Sequence, residues 1–108
     1  YAPQIDTLLG DALSLISELE IRFDLVFIDA DKQNYSTYFD LVIDKLNVGG
    51  IILTDNVLWN GKVIENKISN DVDTLSIVQY NKKVQTDIRV ETILLPIRDG
   101  ISITKKIS

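Results

Sequence analysis

The sequence predicts an α/β protein with a mostly parallel sheet, helical crossovers and a closing antiparallel hairpin. Three observations predict it. Residues 23–32 (FDLVFIDADK) and 49–59 (GGIILTDNVLW) are apolar runs of strand length that end abruptly in oxygen-bearing side chains. Between them, residues 34–46 place apolar side chains at helical spacing. Arg98, Asp99 and Gly100 then separate two runs rich in β-branched residues, and Asp-Gly in that position is a strong hairpin cue.

Taken in order, residues 5–9 form a short β-like run stopped at Gly10 and Asp11. Residues 12–20 come next as a helix with Leu13, Ile16, Leu19 and Leu15 toward the core. Residues 23–28 are apolar apart from Asp24, the pattern of a strand covered on both faces. The helix over 34–46 turns Tyr38, Phe39, Leu41, Val42, Ile43 and Leu46 inward, and Gly49 and Gly50 are its natural stop. Residues 50–53 start the next strand, and 55–70 read as a polar loop. Asp73 and Thr74 suit the N-cap of a helix through about Asp87, with Leu75, Val78 and Val84 on one side. Residues 90–97 and 101–107 are the hairpin strands. Helices alternating with strands imply parallel pairing through crossovers.

With 108 residues the chain is one domain at most. Its net charge of −5, with no Lys/Arg cluster, argues against nucleic acid as a partner. The absence of cysteine removes disulfides, thiolate metal sites and a cysteine nucleophile. No apolar run approaches the roughly 18 residues of a membrane span. Residues 1–4 lack the features of a signal peptide, so a cytoplasmic location is the default expectation. The lack of any methionine suggests a piece of a longer chain.

In an open α/β sheet, ligands bind outside the carboxyl ends of the strands. Two neighbouring parallel strands ending in Asp29 and in Asp55 with Asn56 would therefore bring these oxygens into one crevice. An all-oxygen set with no His or Cys suits a hard cation such as Mg²⁺, Ca²⁺ or Mn²⁺. The bland alternative is that Asp29 and Asp55 only cap the helices or turns after them. Lys32, three residues after Asp29, can serve as a base if its surroundings favour the neutral amine, and otherwise is a solvated loop lysine. Trp59, the sole tryptophan, either walls an aromatic pocket or simply packs. Asp11 either accepts a hydrogen bond from a ligand amine or caps a helix. Tyr35, Tyr38 and Phe39 read as core or groove residues. Asn81 and Asp87, flanking Lys82 and Lys83, read as a solvated helix face, and Asp99 as a turn residue.

Together these residues resemble the cation-dependent O-methyltransferases, the family of caffeoyl-CoA and catechol O-methyltransferases. The resemblance is carried by Gly10, Asp11, Ala12 and Leu13, by the run 23–32 with Tyr35 and Tyr38, and by the run 49–61. Farther on it includes Tyr80 and Asn81, Asp87 to Arg89, Leu95 and Pro96, and Asp99 and Gly100. It implies the C-terminal part of a Rossmann-like class I S-adenosylmethionine (SAM) methyltransferase fold. Within it, Asp29, Asp55 and Asn56 would hold a divalent metal (Mg, Ca or Mn), and Lys32 would be the general base. Asp31 would face SAM, Asp11 and Ala12 would lie by its adenine, Asp29 would border the cofactor, and Trp59 would line the acceptor pocket. The implied acceptor is a small hydroxylated aromatic, catechol-like or caffeoyl-type, and the implied assembly is a homodimer.

The five glycines, at 10, 49, 50, 61 and 100, include no Gly-rich SAM loop. The resemblance therefore implies that residues 1–108 are a partial domain, inactive alone, and that in the family's sheet the two missing strands fall between residues 5–9 and 23–28. Three rival readings remain. A haloacid dehalogenase-type phosphatase also has an apolar strand ending in Asp-x-Asp, although Lys32 and Gln33 replace the usual small residues and no later acid pair is present. A receiver-like phosphoacceptor lacks its acidic pair, having only Asp11 after the first strand. A truncated, non-catalytic half-domain is the non-enzymatic alternative.

Overall fold

The computed structural model describes residues 8–58 and 72–108. Trp59 and most of the predicted 5–9 strand lie outside them; Leu8 and Leu9 are exposed and outside any strand. Helix α1 spans Ala12–Glu18, strand β1 Phe23–Ile28 and helix α2 Tyr35–Ile43, the last entered through a 3₁₀ turn at Lys32–Asn34. Strand β2 spans Leu46–Asp55, helix α3 Val72–Thr86, and strands β3 and β4 Val90–Leu95 and Ile101–Lys106.

The sheet order is β1-β2-β4-β3. β1 and β2 are parallel, with α2 as their crossover, and the other two pairings are antiparallel. The described sheet is therefore mixed, and the closing hairpin is inserted so that β4 lies beside β2. The hairpin turn forms where Asp-Gly predicts it: Arg98 and Gly100 have φ of 54° and 85°, and Gly100 N–H bonds to Ile97 O at 2.9 Å.

α2 buries Tyr35, Tyr38, Phe39, Val42 and Ile43, the i, i+3, i+4, i+7, i+8 stripe of an amphipathic helix. Against it stands α3, whose Tyr80 ring meets Tyr35 and Phe39 edge to face at 5.5 and 6.3 Å. This packing corrects the inward face expected for α3. Thr74, Ile77, Tyr80 and Val84 are buried, whereas Leu75 and Val78 face outward. The large Tyr80 ring is wedged between α2 and the sheet, and that decides which stripe turns inward.

Gly49 and Gly50 do not stop a helix. α2 has already ended at Ile43, and both glycines lie inside β2, which begins four residues earlier than its apolar run suggests. Phe23 pairs with Leu46 but Leu25 with Ile51, so β2 carries extra residues as a bulge. Gly49 has φ of 90°, and a Cβ on Gly50 would stand 2.8 Å from Asn47 O. Lys106 closes the end of α2 instead, its Nζ donating to Ile43 O and Leu46 O at 2.8 and 2.9 Å.

β1 is not covered on both faces. Val26 and Ile28 point to the helices, but Leu25 and Phe27 are 61% and 57% exposed. Among the described residues the helices lie on one face of the sheet and β1 forms its edge. The apolar residues that predicted double coverage are therefore left bare.

Candidate active site at the strand ends

Ile28 pairs with Thr54, so Asp29 and Asp55 leave the last rung of two adjacent parallel strands, whose axes lie about 4.8 Å apart. Lys32, on the turn after β1, lies over both ends. Its Nζ is 3.9 Å from Asp29 Oδ1 and donates to Asn56 Oδ1 at 3.4 Å, to Ala30 O at 3.1 Å and to Tyr35 Oη at 2.7 Å. Lys32 Nζ thus joins Asp29, at the end of β1, to Asn56, just after β2; the lysine side chain is largely buried while Asp29 is 57% exposed.

Tyr35, expected to be a core side chain, has its ring in the core and its hydroxyl in the site. Its Oη donates to Asp55 O at 2.9 Å while accepting from Lys32. Burial first, and then the charges of Asp29 and Asp55, push the phenol well above its usual range. It therefore stays a neutral donor. The only sequence signal for this role was its place one helical turn after Lys32.

Asn56 has φ of 60°, in the left-handed region that Asn tolerates better than most residues. Its N–H bonds to Asp55 Oδ1 at 2.8 Å, and its Nδ2 donates to Asp99 Oδ2 at 3.1 Å. Asp99 is a turn residue as expected, but it also reaches the site. Nothing local in the sequence signals a contact across 43 positions.

Asp31 is held toward α2, accepting from Tyr38 Oη at 3.3 Å and from Asn34 Nδ2. Burial and the Asp31 carboxylate raise the Tyr38 phenol above its ordinary value. Asp11 sits at the N-cap position of α1 and accepts from Ser14 Oγ at 3.0 Å. Ala12, Asp29, Ala30 and Tyr38 border a cavity of about 190 Å³ between α1, β1 and α2. The structure thus gathers Ala12 and Asp29 at one cavity, with Asp31 joined to its wall through Tyr38. A larger cavity of about 310 Å³ lies between α3 and the hairpin, beside Asn81, Thr92 and Ser102; neither Lys32 nor the strand-end carboxylates border it.

Among the described residues, no three Asp, Glu, His or Cys side chains form a metal-binding group. Asp29, Asp55 and Asn56 offer two carboxylates and one amide oxygen, the kind of oxygen donors that hard divalent cations take. Asp87 and Arg89 form a bidentate ion pair at 3.0 and 2.7 Å, which holds the Asp87 carboxyl below its usual range. The pair is structural and joins α3 to β3. No helix among the described residues is long and apolar enough to cross a membrane.

Comparison with known proteins agrees with this geometry. A family model described as O-methyltransferase matches residues 1–107. Caffeoyl-CoA O-methyltransferase 1 of Eucalyptus globulus is 37% identical over 120 residues, covering 99% of this chain and 48% of that protein. A probable caffeoyl-CoA O-methyltransferase 1 of Dictyostelium discoideum is 42% identical over 89 residues, covering 82% and 39%. The crystal structure of an O-methyltransferase from Bacillus cereus in complex with SAH superposes with a TM-score of 0.77 at 32% identity, covering 88% of this chain and 46% of that one. An SAH-bound methyltransferase of Podospora anserina superposes with a TM-score of 0.78 at 29% identity, covering 92% and 47%. The chain spans about half the length of the curated relatives it matches. With a fold that is a fragment of the Rossmann-like methyltransferase sheet, it belongs to the O-methyltransferase family.

Proposed function

We propose that the protein carrying this chain is a SAM-dependent, divalent-cation-dependent O-methyltransferase acting on a small hydroxylated aromatic, catechol-like or caffeoyl-type. The observation that carries the proposal is the position of Lys32 Nζ, 3.4 Å from Asn56 Oδ1 and 3.9 Å from Asp29 Oδ1. One basic side chain there reaches the oxygens of both strand ends. The names of the relatives and the SAH-bound neighbours support the reaction class and the cofactor.

Asp29, Asp55 and Asn56 would hold the cation. When bound, the cation supplies the positive charge that acidifies an acceptor hydroxyl, as it does for water. Lys32 would take the hydroxyl proton on Nζ once its own ammonium proton has passed to solvent. The freed oxygen lone pair then forms a bond to the SAM methyl carbon in line, while the carbon–sulfur bond breaks and its electron pair stays on sulfur, giving SAH. Tyr35 and Ala30 O orient Nζ for that transfer. Holding oxygen and methyl in line lowers the barrier by roughly 7–11 kcal/mol in well-oriented systems. Asp11, Ala12 and Asp31 belong to the cofactor side and Trp59 to the acceptor side, and the working state is a cytoplasmic homodimer, as the resemblance implies. A phosphatase reading would need Asp31 free to act beside Asp29, yet Asp31 is held by Tyr38 and Asn34.

The test is Mn²⁺ binding by electron paramagnetic resonance in the intact protein, alongside methyl transfer from SAM to caffeoyl-CoA and catechol with and without chelator. Saturable binding lost in both Asp29→Ala and Asp55→Ala, with chelator-sensitive transfer, supports the proposal. Binding indifferent to both substitutions, or transfer indifferent to the chelator, overturns the cation's role.

A further inference from the structure

We infer that Asp99 is a positioning residue that sets which end of the Asn56 side-chain amide faces the site. The inference rests on the proposal that Asn56 contributes an oxygen to a divalent cation. Asn56 stands between two groups of opposite sign. On one side its Nδ2 donates to Asp99 Oδ2 at 3.1 Å; on the other its Oδ1 accepts from Lys32 Nζ at 3.4 Å. A carboxylate only accepts hydrogen bonds and an ammonium only donates them. Turning the amide over would set Oδ1 against the carboxylate and Nδ2 against the ammonium, so both contacts would become repulsive. The pair therefore selects the rotamer that offers oxygen, the only amide atom able to ligate a hard cation.

The backbone holds Asp99 in place for this task. The 97–100 turn is clipped onto the loop after β2 by Leu58 N–H to Asp99 O at 2.7 Å and Val57 N–H to Gly100 O at 3.2 Å. Asn56 is fixed from its own side by its left-handed φ and its N–H bond to Asp55 Oδ1. Asn81 Nδ2 anchors the same loop through Val57 O at 2.9 Å. Outer partners that orient a ligand are commonly worth 10–100-fold in metal affinity.

The test measures Mn²⁺ affinity of the intact protein by electron paramagnetic resonance for Asp99→Ala, Asp99→Asn, Asn56→Ala and Asn56→Ala with Asp99→Ala. Asp99→Ala is expected to weaken binding about tenfold or more. Asp99→Asn keeps an oxygen that can accept from Asn56, so its loss is smaller. In the Asn56→Ala background, Asp99→Ala adds nothing, because its effect passes through Asn56. Equal losses in Asp99→Asn and Asp99→Ala that persist without Asn56 would mean that only the charge matters, and would overturn the inference. Asp99→Ser, small and suited to a turn, replaces Asp99→Ala should that variant not fold.

A wild-type protein that binds no Mn²⁺ sinks the cation reading by itself. Positioning is then decided by NMR of the Asn56 side-chain amide. Two resolved, slowly exchanging protons that collapse in Asp99→Ala support it, and signals unchanged by that substitution overturn it.

Discussion

Lys32 and Tyr35 form a bridge between the two strand ends: Nζ donates to the phenol oxygen at 2.7 Å, and the phenol donates onward to Asp55 O at 2.9 Å. Because burial keeps Tyr35 protonated, this donor persists across the working pH range. In Tyr35→Phe, Asp55 O loses its donor and Nζ loses an acceptor. The expected outcome is a loss of about 1 kcal/mol in stability. The rate constant should fall about tenfold with the KM for the acceptor nearly unchanged, as when only the reacting group is misplaced. Steady-state kinetics beside urea unfolding would check it; wild-type turnover in the variant would remove Tyr35 from the site.

Replacing Lys32 separates proton transfer from cation binding. Lys32→Met should lower kcat by about 10²-fold or more, the usual worth of a positioned general base. Mn²⁺ binding should persist or tighten, because a positive charge 3.9 Å from Asp29 has been removed. Lys32→Arg should not restore the rate, since a guanidinium does not give up its proton. A matched loss of metal affinity and rate in Lys32→Met would instead make Lys32 a structural support.

Gly100 is the position where the hairpin turn meets the loop after β2. Its φ is 85°, and an added Cβ would stand 2.6 Å from Leu58 Cγ and 3.0 Å from Leu58 N. Gly100→Ala should therefore destabilise the protein by about 1–3 kcal/mol and loosen the clip that carries Asp99. A urea midpoint equal to that of the wild type would show that the two loops can part without cost.

Tyr80 predicts a decline in stability at alkaline pH. Its hydroxyl is buried 2.6 Å from Thr54 Oγ1, and burial raises its pKa to about 12 from 10.0, with the Thr54 hydrogen bond opposing the shift. The folded state thus holds its proton longer than the unfolded chain does. This contribution is complete below pH 10 and is lost as pH rises toward 12, at up to roughly 1.4 kcal/mol per pH unit. Urea unfolding at pH 9 and pH 11.5 should show a steeper decline in the wild type than in Tyr80→Phe. Parallel declines would assign the effect to other groups.

Local pattern decided much of this molecule. The bounds of β1 come from an apolar run long enough to be a strand and stopped at both ends by charge, and the observed strand is Phe23–Ile28. Asp99 and Gly100 announced the hairpin, because few residue pairs accept the backbone angles that such a turn requires. Two strands ending in Asp29 and Asp55, joined by an amphipathic helix, were enough to infer that both carboxylates share one end of a sheet. The implied family came from the same residues.

Other features depend on which groups meet across the fold. Gly49 and Gly50 look like a helix stop, and only the register of β1 on β2 makes them a bulge. The inward stripe of α3 is set by the space Tyr80 finds between Phe39, Tyr35 and Thr54. Leu25 and Phe27 are as apolar as buried strand residues, yet exposure depends on what covers a face, which no local pattern encodes. The same holds for Asp99 and Asn56. By itself, the sequence determined which residues could supply oxygen and charge and which elements would carry them. Only the tertiary structure decided that a hairpin turn 43 residues away holds the Asn56 amide, because hydrogen-bond partners are chosen by distance in space, and register and packing set that distance.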